Sequence, residues 1–323
     1  MRGKFPITFF RYVLKEEKMY LNKLIHHGMR FRAFFQSDRI RCLNHFTNIE
    51  TVDTAFSVHD AYQDTTKPPL VVLHALMGSK YHWESMSMAI NKATGRKVIA
   101  VDARNHGDSP HSPEITYIHM AHDLKRLMEK LEIPRVSVLG HSMGGRTAMA
   151  FSLLFPELVS SLAVVEVTPI KTPLSLPFIH SLLDAMASIS FESSVLTSDA
   201  RELANERLKT VTPNEKIRNY LILNLINSHT STQTWKVNIP ALRKNFEEHL
   251  YKFPTSLLRL QYSGPMTFIA GALSNHVDIE DMPEIRKSFP AAEVVYIEGG
   301  NHWSHIEKPE IFEKTVCKFL EDN

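Results

Sequence analysis

Cysteine is nearly missing from this chain: among 323 residues there are two, Cys42 and Cys317, toward opposite ends. Two thiols supply neither a disulfide framework nor a metal-ligand set, which points to a reducing compartment. Long hydrophobic runs are missing as well. Nothing approaches the ~18 uninterrupted apolar residues that span a bilayer. The longest stretches, such as Val136-Ser137-Val138-Leu139 and Leu162-Ala163-Val164-Val165, have the length of buried strands. Neither sign of charge is in excess: 37 Lys and Arg against 35 Asp and Glu leave a net charge of +2. That balance removes any global reason to expect nucleic acid as a partner. Internal repeats and low-complexity tracts are absent. What is present, 43% hydrophobic and 22% charged residues, has the material for a sizeable core.

The first fifty residues differ from the rest. Cations such as Arg2, Lys4, Arg11, Lys15, Arg30 and Arg32 alternate with Phe and Leu, and only Glu16, Glu17, Asp38 and Glu50 oppose them. A basic, acid-poor, amphipathic leader over residues 1–50 reads as a mitochondrial transit peptide. The expected residence is therefore mitochondrial, in the matrix, and a start at Met19 instead of Met1 would remove Glu16 and Glu17. The alternative is a cytoplasmic protein whose basic tail lies on its surface or makes peripheral membrane contact.

From Pro68 onward short apolar runs alternate with amphipathic stretches. Leu70–Leu73, Val98–Val101, Val136–Leu139 and Leu162–Val167 read as strands. Segments 82–92, 118–131 and 144–155 between them have helical spacing, and Thr51–His59 adds a candidate strand before this series. Apolar strands in alternation with helices predict a mostly parallel central sheet with helices on both faces. After Pro169 the alternation stops. Residues 174–260 read as helical throughout, with Leu182, Leu183 and Met186, then Tyr220, Leu221 and Leu225, at helical spacing. Strands resume at Met266–Ala270 and Val294–Ile297, and a last helix covers Pro309–Leu320. The expected organisation is an α/β core over 51–168 and 262–323, with a helical cap at 169–261 inserted between two strands of one sheet.

Gly140-His141-Ser142-Met143-Gly144 has the form G-x-S-x-G and falls between a strand and a helix, the context in which that pattern carries chemistry. A sharp turn there lifts the Ser142 hydroxyl above the sheet edge, and the helix N-terminus offers backbone amides to a developing oxyanion. A serine hydroxyl needs a base. His302, in Gly299-Gly300-Asn301-His302-Trp303 after the last strand, stands where such a base comes in chain order, whereas one histidine among seventeen carries no meaning by type alone. A carboxylate should orient the imidazole. Glu166, at the end of the strand beside the nucleophile strand, takes first place. Asp278, in the loop after Met266–Ala270, takes second, because Asn275 stands earlier in that loop and is neutral. The expected oxyanion donors are the amides of Leu76 and Met143. Asp102 and Arg104, in the loop after Val98–Val101, are expected to pair and brace this edge. No metal or organic cofactor is implied.

With these residues in place, the chain resembles the α/β-hydrolase superfamily across residues 68–321. It looks most like the group of alpha/beta-hydrolase domain-containing protein 11 and its bacterial esterase relatives. Val101-Asp102-Ala103-Arg104-Asn105-His106-Gly107-Asp108-Ser109-Pro110-His111-Ser112-Pro113, Gly140–Gly145 and Trp235-Lys236-Val237-Asn238 carry the resemblance. It implies the α/β-hydrolase fold, a helical cap, mitochondrial residence and hydrolysis of carboxylic esters of small acyl or lipid substrates, diacylglycerol-like lipids included. Two departures stand out: Ala75 where that group has glycine, and Glu166 where the bacterial relatives have aspartate. An acyl-thioesterase and a catalytically silent protein that binds through its cap pocket are the alternatives. Enzymes of this fold with an aspartate nucleophile are excluded by Ser142.

Overall fold

Apolar runs four to seven residues long become the inner strands of the sheet because both of their faces are covered. The computed structural model describes residues 49–323 except 63, 65, 173–175, 192–196 and 228–232. The basic leader therefore lies outside the described residues but for its last two positions. Among the described residues no helix is long and apolar enough to cross a membrane. In chain order the strands are β1 (Phe56–His59), β2 (Leu70–Leu73), β3 (Val98–Val101), β4 (Val136–His141), β5 (Val159–Val165), β6 (Leu225–Asn227), β7 (Gln233–Trp235), β8 (Met266–Gly271) and β9 (Ala292–Ile297). Seven of them form one sheet in the order β1-β3-β2-β4-β5-β8-β9. β1 runs antiparallel to β3, and every other pairing in that sheet is parallel. The carboxyl ends of β2, β4, β5, β8 and β9 thus share one edge, where an open α/β sheet presents its binding crevice.

Helices α1 (Glu84–Thr94), α2 (Tyr117–Lys130) and α3 (Met143–Leu154) follow β2, β3 and β4. α2 starts at Thr116, whose side chain accepts the His119 amide at 3.1 Å. α3 is buried along its whole length, which fits a sequence that is mostly apolar on every side and carries a single charge, Arg146. Leu70, Val72 and Leu139 from the sheet meet Trp83, Ile90, Phe312, Val316 and Leu320 in the main core cluster.

Between β5 and β8 come α4 (Leu176–Ser188), α5 (Thr197–Lys209), α6 (Glu215–Ile222) and α7 (Ile239–Asn245). After β8 follow α8 (Met282–Ile285), α9 (Ser304–Glu307) and α10 (Pro309–Glu321). The spacing predicts a segment that is helical throughout before β8, and the structure departs from that. α6 ends at Ile222, and Leu225 enters the hairpin β6–β7, paired with Trp235. Ile226, Thr234 and Trp235 favour extended backbone, and short apolar runs of this kind fit either periodicity.

The expected Asp102–Arg104 pair does not form. The chain turns after β3, where the His106 amide bonds the Ala103 carbonyl at 3.0 Å, and the two side chains part. Arg104 reaches α2 and forks onto Asp123, with both N–H···O distances 2.7 Å. Asp102 accepts from the Lys80 amide and ammonium, each at 2.6 Å, and from the Asp108 amide at 2.9 Å. The Trp235–Asn238 stretch ties onto the same loop. The Asn238 amide donates to the Asn105 carbonyl at 2.9 Å, and Lys236 pairs with Asp108.

Candidate active site

Backbone strain marks the site before any side chain does. Among the described residues five non-glycines have positive φ: Met77, Asn105, Glu132, Ser142 and Glu166. Four of these, all but Glu132, lie just past the carboxyl ends of β2, β3, β4 and β5. Positive φ disfavours a residue with a Cβ, and such strain persists where the surrounding structure over-determines it. Ser142 has φ 51° and ψ −111°, its amide bonds the Val165 carbonyl at 2.9 Å, and α3 begins at the next residue. Glycine is required on both sides. A Cβ on Gly140 would collide with the backbone of Gly144, and one on Gly144 with the carbonyls of Leu73 and His74.

The expected oxyanion donors sit on either side of this turn. Met143 is the first residue of α3, where an amide has no acceptor within the helix. Leu76 belongs to the loop after β2 and lines the same cavity as Ser142 and Met143. Two histidines hold that loop. His74 Nε2 accepts the Ala103 amide at 3.0 Å, so its Nδ1–H donates to the Ala75 carbonyl at 2.8 Å. His106 Nε2 accepts the Met77 amide at 3.1 Å, so its Nδ1–H donates to the Arg104 carbonyl at 2.9 Å. Ala75 is not among the positive-φ residues, so its Cβ meets no left-handed backbone strain.

Both histidines are buried and neutral by construction, since each must accept a backbone N–H. Burial, reinforced by the neighbouring His74, pushes His106 down to about 3. The unfolded chain takes up this proton near pH 6.5 and the folded one does not, so stability present above pH 6.5 is lost as pH falls from there toward 3. Each such histidine steepens the decline by up to ~1.4 kcal/mol per pH unit. Urea unfolding between pH 7 and 4.5 is expected to show this slope, shallower in His106→Asn. A slope identical in the two proteins would contradict the assignment.

Glu166 is fully buried, and its carboxylate is aimed at the base expected from the sequence. His302 Nδ1 stands 3.7 Å from Glu166 Oε2. The Gly271 amide donates to Oε1, and the Ser274 hydroxyl donates to Oε2 at 2.6 Å. His302 is also held through its main chain, because His141 Nε2–H donates to its carbonyl at 3.1 Å. Asp278 lies elsewhere. It is surface-exposed, caps the turn at Ile279–Asp281 through the Glu280 amide, and pairs with Lys171 at 3.0 Å. The Glu280 amide, then Lys171, hold its carboxyl below the ordinary range.

One residue at this centre carried no signal in the sequence. His276 stacks on His302 with ring centroids 4.1 Å apart and planes 24° from parallel, and its Nδ1 lies 3.8 Å from Glu166 Oε2. The Ser274 hydroxyl gives its proton to Glu166, so at 2.9 Å it accepts from His276 Nδ1–H. Burial, then the neighbouring His302 and Arg146, push His276 down to about 3. The loop after β8 invites a search for a carboxylate, and a histidine there is one of seventeen.

Ser142, Glu166 and His276 open onto a pocket whose other walls include Leu76, Val167, Phe246 and Leu250. Phe246 and Leu250 come from the segment between β5 and β8. Arg146, on α3, is buried and donates to the Tyr251 carbonyl at 2.7 Å and to that of Lys171 at 2.5 Å, so it serves as a tie between that segment and the sheet.

A serine on a strained strand-to-helix turn, beside a carboxylate–histidine pair, recurs in one large family. The model of the alpha/beta hydrolase fold matches residues 68–309. This chain belongs to the α/β-hydrolase family. Among curated relatives of this α/β-hydrolase, the sn-1-specific diacylglycerol lipase ABHD11 of Xenopus laevis is 36% identical over 300 residues, covering 91% of this chain and 94% of that one. The protein of the same name from Mus musculus is 38% identical over 258 residues, covering 80% and 82%. Among solved structures, a marine microorganism esterase superposes with a TM-score of 0.74 at 28% identity, covering 83% of this chain and all of that one. The α/β-hydrolase fold and the likeness to this group, both expected from the motifs, are thereby established.

Proposed function

We propose that this α/β-hydrolase is a serine hydrolase that cleaves carboxylic esters of apolar acyl groups, diacylglycerol-like lipids among them, through an acyl-enzyme. The observation that supports the reading is Ser142 on its strained turn, lining one pocket with the buried Glu166, whose carboxylate lies 3.7 Å from His302. His302 Nε2 takes the Ser142 proton as Oγ attacks the ester carbonyl, and the Met143 and Leu76 amides receive the oxyanion. The imidazolium, stabilised by Glu166, then gives its proton to the leaving alcohol. Water, deprotonated by the same nitrogen, adds to the acyl-enzyme, and Ser142 is released with the carboxylic acid. Hydrogen bonds of a resting site often tighten only with substrate bound, which accommodates the 3.7 Å between His302 and Glu166.

The substrate class follows from the cavity walls. Leu76, Val167, Phe246 and Leu250 offer an acyl chain burial at about 0.8 kcal/mol per CH₂. The names of the ABHD11 relatives support a lipid ester as the substrate.

A fluorophosphonate probe tests the reading directly. Covalent labelling of the wild type is expected, with none in Ser142→Ala, together with hydrolysis of 4-nitrophenyl acyl esters and of diacylglycerol by the wild type alone. A folded wild type that neither labels nor hydrolyses would point to a silent binding protein.

A further inference from the structure

We propose that Glu166, His276 and His302 form a binding site for a divalent metal ion of the zinc type, and that occupancy reversibly shuts the hydrolase down. The regulatory half rests on the function proposed above; the binding half does not.

The site is assembled by three neighbouring strands. Glu166 follows β5, His276 lies in the loop after β8, and His302 lies in the loop after β9, and these strands are adjacent in the sheet. One donor atom from each residue lies within 4.8 Å of the other two. Both Nδ1 atoms stand 3.7–3.8 Å from the same carboxylate oxygen. Two imidazoles and a carboxylate make a donor set that suits zinc, with a fourth position left for water. Bonds of 2.0–2.2 Å in a tetrahedron put donors about 3.3–3.6 Å apart, so the carboxylate edges need to close by only a few tenths of an ångström as the rings turn to converge. The outer shell already exists. The Gly271 amide and Ser274 hydroxyl anchor Glu166, and the His141 ring anchors the His302 main chain. Two ring nitrogens here, His302 Nδ1 and His276 Nε2, are buried without a hydrogen-bond partner among the described residues.

Inhibition follows from proton bookkeeping on one ring. To act as base, neutral His302 keeps its hydrogen on Nδ1, facing Glu166, and its lone pair on Nε2, the nitrogen to which the proposed mechanism assigns the serine proton. A metal on Nδ1 takes the lone pair there, and the ring's single hydrogen moves through solvent to Nε2. No lone pair is then left to accept the Ser142 proton. His276 makes the same exchange: its Nδ1 hydrogen moves to the unpartnered Nε2, while Ser274 keeps the His276 amide as a donor at 3.2 Å. No net proton is gained or lost by either ring. A histidine that only packed against His302 would give the site no such sensitivity.

Zinc chloride added to the full chain in chelator-stripped buffer tests both halves. Calorimetry is expected to find one zinc per chain in the wild type and in Ser142→Ala, with binding weakened by at least ~10–100-fold in His276→Phe and His276→Gln. Hydrolysis of a 4-nitrophenyl ester by the wild type should fall to near zero at saturating zinc and return with EDTA. For each variant the ratio of rates with and without zinc is compared, so any change in its own basal rate divides out, and thermal melts establish that both variants fold. Absence of stoichiometric zinc binding to wild type and Ser142→Ala overturns the site. Zinc inhibition equally strong in the folded His276 variants overturns it too. A wild type that binds one zinc through His276 yet hydrolyses nothing leaves the site standing and sinks the proposed function instead.

Discussion

Glu166→Gln is expected to lower kcat for ester hydrolysis by roughly 10³–10⁴-fold with little change in KM, since a neutral amide neither fixes the working tautomer of the base nor offsets imidazolium charge. Two features make the effect large. Glu166 is fully buried, so no water substitutes for its charge. Its carboxylate also accepts from two donors at once, the Gly271 amide and the Ser274 hydroxyl. A glutamine must turn its NH₂ toward one of them, which displaces the group as well as neutralising it. Asp278→Asn is the matched control. That carboxyl is exposed and engaged with Lys171, and its loss should leave kcat within a few-fold of wild type. Steady-state kinetics on the two purified variants check this. Near-normal turnover in Glu166→Gln beside collapse in Asp278→Asn would reverse the assignment of the acid.

The second large effect concerns stability. Asp123→Ala is expected to cost about 3–5 kcal/mol, because it leaves the buried Arg104 guanidinium without its counter-charge. Arg104 is 1% exposed and gives two further donors to the Glu114 and Glu50 carbonyls, so water does not replace the lost carboxylate. The Val52 amide loses its acceptor as well. Burial lifts the Asp123 carboxyl above its ordinary range despite the pull of Arg104, the mark of a pair whose desolvation rivals its attraction. The double variant Arg104→Met/Asp123→Leu should therefore recover much of the loss. Lys318→Ala, which removes an exposed partner of Asp322, should leave the urea midpoint where it is. A midpoint for Asp123→Ala equal to that of the wild type would show that the pair carries no structural burden.

Much of this could be read without coordinates, and the reason is locality. The G-x-S-x-G turn is defined by steric limits within five residues, where Gly140 and Gly144 make room for the strained Ser142. Strands such as Leu70–Leu73 announce themselves because burial on both faces demands unbroken apolar runs. The hairpin β6–β7 was harder. Leu225 satisfies helical spacing with Tyr220 and Leu221, and only pairing with Trp235 makes it a strand residue.

The sequence by itself determined the strand–helix alternation, the serine turn and the histidine after the last strand, each of them a matter of neighbours along the chain. The tertiary structure alone decided which carboxylate lies beside His302, which acid Arg104 takes, and that His276 stacks on the same centre. Those outcomes depend on β5, β8 and β9 standing side by side and on which groups the sheet edge seals from water. Burial and proximity of that kind belong to the folded chain and to no local stretch of it.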